Sequence, residues 1–246
     1  MQVTAIFRKL SANDTRLIGR DSFILMVIGY ILVMAVLLRF AVPWLRGLLL
    51  AEYSFDLLPY YPLITSYLAL ALSPQISGYV FGFLLLDERD DQTLKAMLVT
   101  PLPLNTFLLY RILVASLLAF FLVIATLLIM DLMAFSVLEI ILVAAVAGLF
   151  APVIMMFLGT AASNKVEGFA LMKILGVVSL IPIAAWFMPM PWQLLAGIYP
   201  PYWVSKAMWV IAEGGSLWPA YLAVGVVVTL AFVWLLMRRF RTVAYL

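Results

Sequence analysis

Residues 57–86, LLPYYPLITSYLALALSPQISGYVFGFLLL, run for 30 positions without one charged side chain and are bracketed by Asp56 and Asp87. A helix rises about 1.5 Å per residue, so roughly 20 apolar residues cross the hydrocarbon of a bilayer. This stretch therefore reads as a membrane span. Working outward, five more uncharged runs follow the same logic: residues 22–38 (17 positions), 112–130 (19), 140–164 (25), 174–205 (32) and 214–237 (24). The longest is too short for two crossings with a turn, and prolines interrupt its second half. A seventh run, residues 96–110, is 15 positions long and carries Pro101 and Pro103. It reads as an interfacial loop that leads into the third span. The expected fold is an all-α integral membrane protein, one transmembrane domain over residues 1–246. Its six transmembrane helices are expected at 22–41, 60–86, 107–130, 138–160, 171–188 and 217–237.

Composition agrees. Hydrophobic residues make up 67% of the 246 and charged ones 11%, and the mean hydropathy is +1.16. A soluble fold of this size cannot hide two thirds of its side chains. With no His and no Cys, imidazole acid–base chemistry, thiol catalysis, disulfides and the usual zinc sites are excluded. The charges that remain are unevenly placed. If both termini are cytoplasmic, the inner side carries 12 of the 15 Lys and Arg, leaving Arg39, Arg46 and Lys206 outside. The positive-inside rule thus puts both ends in the cytoplasm. Trp44, Trp186, Trp192, Trp203, Trp209 and Trp218 fall toward the outer face, and Trp234 toward the inner one. Tryptophan favours the interface, where its ring is apolar and its N–H stays wet.

The first 21 residues mix Phe7, Leu10, Leu17 and Ile18 with Arg8, Lys9, Arg16 and Arg20. They lack the short apolar core and small-residue cleavage site of a signal peptide. An amphipathic elbow helix on the inner leaflet is expected, with a disordered basic tail as the alternative. The largest polar segment follows the second span, within residues 87–106. Its acidic start and later Lys95 suit the dipole of a short helix, and Asp91 and Lys95 stand four apart, the favourable order for a helical ion pair. Leu94, Met97 and Leu98 give one apolar side, and Pro101 and Pro103 stop the helix. Two readings remain: a helix that docks a soluble partner, or a solvated charge cluster that fixes topology. Residues 161–168, with Lys165 and Glu167 too close to share a helical face, read as a loop or helix junction.

On the outer side, residues 189–216 hold Pro189, Pro191, Pro200 and Pro201 among tryptophans. Two short apolar segments there are too short to cross. They are expected as interfacial helices or as a re-entrant cap buried against protein, a lid over a central path. Within the spans ionisable residues are nearly absent, which counts against a proton- or sodium-driven carrier. The notable interior group is Gln75, beside Pro74, which kinks the helix. Tyr67, Ala71, Gln75, Tyr79 and Phe83 recur every fourth residue as a stripe. Such a stripe lines a path for an aromatic or amphipathic ligand, or it packs helix on helix with Gln75 bonding a neighbour.

The stretch from Phe83 to Pro101, with Asp87-Glu88-Arg89-Asp90-Asp91-Gln92-Thr93-Leu94 at its centre and Thr100-Pro101 at its end, resembles the hallmark of type 2 ABC-exporter permeases. Asn164-Lys165-Val166-Glu167-Gly168 resembles that family's second feature, the turn before the fifth span. The six-span layout, basic elbow and Trp/Pro-rich outer segment are also similar, so the resemblance covers essentially the whole chain. The general look of the chain is similar to the drug or fluoroquinolone export permease branch, without a diagnostic motif.

The resemblance implies a prokaryotic plasma-membrane permease that moves a hydrophobic or amphipathic drug, lipid or peptide and is not itself an enzyme. No phosphate-cradling Gly-x-x-x-x-Gly-Lys-Ser/Thr loop is present. ATP and magnesium would therefore sit on a partner, an ABC ATPase subunit in two copies, working with a second permease subunit, identical or homologous. Lipid is the other partner, and nothing calls for nucleic acid. The resemblance gives the segment after the second span the coupling role, with Glu88 and Asp91 as polar contacts, Leu94 and Met97 as apolar ones, and Lys95 among them. Tyr67, Gln75, Tyr79 and Phe83, with Pro182 and Trp186 at the outer end of the fifth span, would face the substrate path. The alternatives are a non-transporting anchor or assembly subunit and an ion-coupled carrier. An intramembrane enzyme is disfavoured, for there are no paired intramembrane carboxylates, no metal-ligand cluster and no nucleophile–His pair.

Overall fold

A computed structural model of the chain describes residues 22–90 and 104–244. The expected elbow, and the coupling residues Asp91, Leu94, Lys95 and Met97, lie outside the described residues. The described chain holds six helical stretches long and apolar enough to cross a membrane. The first is α1 (Ser22–Tyr53). The second joins a 3-10 turn (Leu58–Tyr60), α2 (Tyr61–Leu70), a wide π turn (Ala71–Gln75) and α3 (Ile76–Asp90) into one rod. The third is α4 (Leu104–Met130). The fourth is α5 (Val137–Gly148) continued by α6 (Phe150–Ala161). The fifth is α7 (Lys165–Val178) with the short α8 (Ile181–Trp186). A 3-10 segment (Trp192–Ile198) and α9 (Pro200–Ala212) precede the sixth, α10 (Trp218–Ala244).

The first and fifth spans extend beyond the uncharged runs that announced them, and in both cases side chains explain it. α1 runs 32 residues, through Arg39 and Arg46. Both cations find carboxylates at that end of the bundle: Arg39 Nη2 lies 3.0 Å from Asp131, and Arg46 grips Asp56 with a fork of 2.7 and 3.2 Å. The Arg46 hydrogen bond, then the Leu58 amide, hold the Asp56 carboxyl below the usual carboxylate range. The fifth span begins at Lys165, not near 171, because Asn164 caps it. The Asn164 side chain accepts from the Glu167 amide at 3.0 Å, and the Glu167 carboxylate accepts from the Ser163 amide at 2.7 Å. These reciprocal bonds satisfy amides that a helix start leaves orphaned. Residues 161–168 are thus a helix start. At the head of α5, Ser136 and Glu139 make a full capping box, Glu139 accepting from the Ser136 amide itself.

Spans two and four form the centre, with 67% of each membrane-crossing window buried, against 17% to 33% for the other four. Apolar burial does not drive helices together in lipid, so close packing of small residues must do so. A Cβ on Gly78 would lie 2.6 Å from the Ile154 Cβ and 2.8 Å from the Ala151 carbonyl. Gly82 is similarly tight against Leu158, and Gly159 against Leu85. Glycine therefore sets the distance between α3 and α6. The third span packs on α1 and on α5, and the sixth on α6 and α9. The Ser73 and Thr126 hydroxyls, 2.7 Å apart and buried, tie span two to span three.

Of the two forms expected for the outer segment, α9 takes the buried one, while Trp192, Leu194, Leu195 and Ile198 of the 3-10 segment stay exposed. Tyr202, Val204, Ser205, Ala207, Met208 and Trp209 of α9 are all buried. Val204, Ala207 and Met208 share a core with Leu70, Val123, Leu127, Ala144 and Leu222. Most tryptophans there are structural. Trp209 donates to Ser66 Oγ at 2.9 Å, and Trp203 to the Gly197 carbonyl at 2.8 Å. Trp186 meets Trp209 edge-on at 4.8 Å. Trp44 and Trp192, at 67% and 62% exposure, keep the surface position expected of the group.

Candidate functional site: a cavity between spans two and five

Span five touches its neighbours sparingly, and the space it leaves against span two is a cavity of about 810 Å³. One wall is the stripe Tyr67, Ala71, Gln75, Tyr79 and Phe83, continued by Asp87; the other is Lys165, Phe169, Met172, Gly176 and Ser179 of span five, with Val27 from α1. A stripe recurring every fourth residue winds by about 40° per step around a regular α-helix. The wide turn at Ala71–Gln75, where Pro74 cannot donate to the ladder, accommodates an extra residue and takes up part of that winding. The stripe thus stays on the face turned to span five.

Three contacts join the two walls. In the middle, Gln75 Nε2 donates to the Tyr79 hydroxyl at 2.7 Å, and that hydroxyl donates to the Met172 carbonyl at 3.3 Å. Nearer the basic end, the rings of Phe83 and Phe169 lie 4.5 Å apart. At the end itself Asp87 and Lys165 form an ion pair, with side chains 38% and 52% exposed. They are the two charged residues of the lining. At the other end the cavity narrows to a space of about 10 Å³ between Gln75, Ser179, Pro182, Tyr199, Pro201 and Ser205. That space holds no more than about one water. The cavity therefore narrows beside α9 and is bounded by charge at the basic end.

The charged end has its own architecture. Asp87, Glu88 and Arg89 are consecutive, so they leave α3 about 100° apart in direction. Each reaches a different span: Asp87 pairs with Lys165 of span five, Glu88 with Arg111 of span three, and Arg89 donates to the Ala162 carbonyl at the end of span four at 3.0 Å. The Glu88 and Arg111 side chains are only 18% and 14% exposed. One turn of one helix thus gathers four spans, directly before residues 91–103.

Of the substrate-path residues expected from sequence, Tyr67, Gln75, Tyr79 and Phe83 share the cavity wall. Pro182 borders the narrow space beside α9. Trp186 stands apart, packed with Trp209 and Tyr202 in the α9 core. Glu88 faces Arg111 inside the bundle. The sequence reading missed the span-five wall. Its positions 165, 169, 172, 176 and 179 follow a helical spacing of four and three, visible only once the helix is started at Lys165.

Comparison with known proteins adds a family. A family model described as fluoroquinolones export permease protein Rv2686c-like matches residues 14–237. The fluoroquinolones export permease protein Rv2686c of Mycobacterium tuberculosis strain H37Rv is 36% identical over 231 residues, 93% of this chain and 91% of that protein. The protein named MT2760 from strain CDC 1551 matches to the same extent. No solved structure matches. Six spans and alignment across nearly its whole length place the chain in the Rv2686c-like family of export permeases, multi-pass membrane proteins.

Proposed function

We propose that this chain is the membrane half of an ATP-driven drug exporter, and that the cavity between spans two and five receives its cargo. The relatives are named for fluoroquinolones, so the cargo class proposed is an amphipathic aromatic drug. The observation that carries the reading is one helical turn with two uses. Asp87 bounds the cavity, and Asp87, Glu88 and Arg89 together tie span two to spans five, three and four. Force applied to residues 91–103 enters the bundle through that turn. A partner ATPase in two copies, holding ATP and magnesium, would supply it, and a second permease, identical or homologous, would complete the path. The bundle's basic end faces the cytoplasm of a prokaryotic plasma membrane, and both termini lie there. Asp91, Leu94, Lys95 and Met97 contact the ATPase, while Glu88 passes the motion to Arg111 and span three.

The test is a Glu88→Ala, Asp91→Ala double variant, reconstituted with the ATPase that co-purifies in mild detergent. Drug-stimulated ATP hydrolysis and transport should both fall while insertion and assembly persist. Unchanged hydrolysis and transport would remove the coupling role from this turn.

A further inference from the structure

The cavity combines an aromatic interior with one negative and one positive charge, and they neutralise each other. Tyr79, Phe83 and Phe169 supply flat apolar surface, and Gln75 supplies an amide. Asp87 and Lys165 join spans two and five at its basic end, both partly open to solvent. The volume of about 810 Å³ lies within the roughly 300–1,000 Å³ typical of small-molecule sites. A ligand with a single charge that entered between these residues would leave one of them without a counter-charge, at a desolvation cost. A ligand with both charges replaces the pair with two new ones.

Resting on the cargo reading above, we propose that Asp87 and Lys165 are the specificity-determining residues for a planar aromatic zwitterion. Its carboxylate binds Lys165, its ammonium binds Asp87, and its ring system lies between Phe83, Phe169 and Tyr79. Binding exchanges the Asp87–Lys165 contact for two contacts through the ligand. The loaded cavity thereby reports itself to the turn that Glu88 and Arg89 anchor.

The probes are ciprofloxacin, which carries both charges, its ethyl ester, which lacks the carboxylate, and its N-acetyl derivative, which lacks the basic amine. Affinities are measured by fluorescence for the chain in nanodiscs of anionic and uncharged lipid. Lys165→Gln should weaken ciprofloxacin about tenfold, the scale of a charged hydrogen bond, while leaving the cationic ester unchanged or tighter. Asp87→Asn should weaken ciprofloxacin about as much and spare the anionic N-acetyl derivative. This crossover separates ligand reading from a strut that merely holds two spans, which would shift all three probes alike. Retained ester or N-acetyl binding also shows that each variant is folded. Equal shifts for all probes, or none, overturn the proposal while leaving the cargo reading standing. Failure of every probe to bind the unaltered chain overturns both. A phosphatidylethanolamine headgroup carries the same two charges; if adding that lipid abolishes ciprofloxacin binding, the pair reads lipid and the proposal fails.

Discussion

Gly78→Ala is the most economical probe of the packing that shapes the cavity. The added methyl would lie 2.6 Å from the Ile154 Cβ, 2.8 Å from the Ala151 carbonyl oxygen and 3.0 Å from the Ile154 Cγ2. Two of these atoms belong to the α6 backbone or to the stem of a side chain, so no rotamer change relieves them. The helices must separate, and overpacking of this kind costs about 1–3 kcal/mol. That outweighs the gain of roughly 0.5–1 kcal/mol that alanine brings to a helix interior. Gly29→Ala on α1 is the matched control, since its Cβ would meet nothing within 4 Å. The assay is the fraction of monodisperse protein that survives heating in detergent. Gly78→Ala should lower the midpoint by several degrees, at about 2–4 °C per kcal/mol, and Gly29→Ala should hold or raise it. The two variants melting together would refute the claim that glycine sets the distance between spans two and four.

Asn164→Ala should cost about 1 kcal/mol and speed hydrogen exchange at the Glu167 and Gly168 amides, whereas Asn164→Asp should not. Arg111→Met alone should destabilise by about 3 kcal/mol, because it removes the cation paired with a partly buried carboxylate; adding Glu88→Met should recover most of the loss in a thermal-survival assay. The Asp56 carboxyl has its pKa lowered by Arg46, so its bond to that cation is complete above the ordinary carboxylate range and is lost as pH falls through the lower, folded value. Carbon NMR of labelled Asp56 should show a midpoint below that of an ordinary aspartate, and it should rise in Arg46→Gln.

Much of this architecture is legible in the residues. The charge-free runs found six spans because a bilayer tolerates few charges, and the every-fourth-residue stripe of span two found one wall of the cavity. The other wall escapes because residues 161–168 read as a loop or helix junction and the fifth span is expected to start only at 171. A Lys at a membrane edge is compatible with a helix when an Asn164 cap and a Glu167 partner start it and an Asp87 receives it. Arg39 and Arg46 interrupt the first span in the same way; Arg39 is answered by Asp131 far along the chain, and Arg46 by the nearby Asp56. Such pairings depend on which spans are neighbours, which periodicity does not encode. The wide turn at Ala71–Gln75 left a trace in Pro74, but its effect on the stripe follows only from geometry. Trp186, expected on the path from its place at the end of span five, packs edge-on against Trp209 of α9.

Under the proposed function this chain moves drug only when a separate ATPase drives it. The direct measurement is uptake of a fluorescent fluoroquinolone into inverted membrane vesicles that contain the chain and its co-purifying ATPase. Uptake should require ATP, vanish when the ATPase is inactivated or omitted, and persist when the proton gradient is collapsed. Uptake that follows an imposed ion gradient with no ATPase present would contradict it.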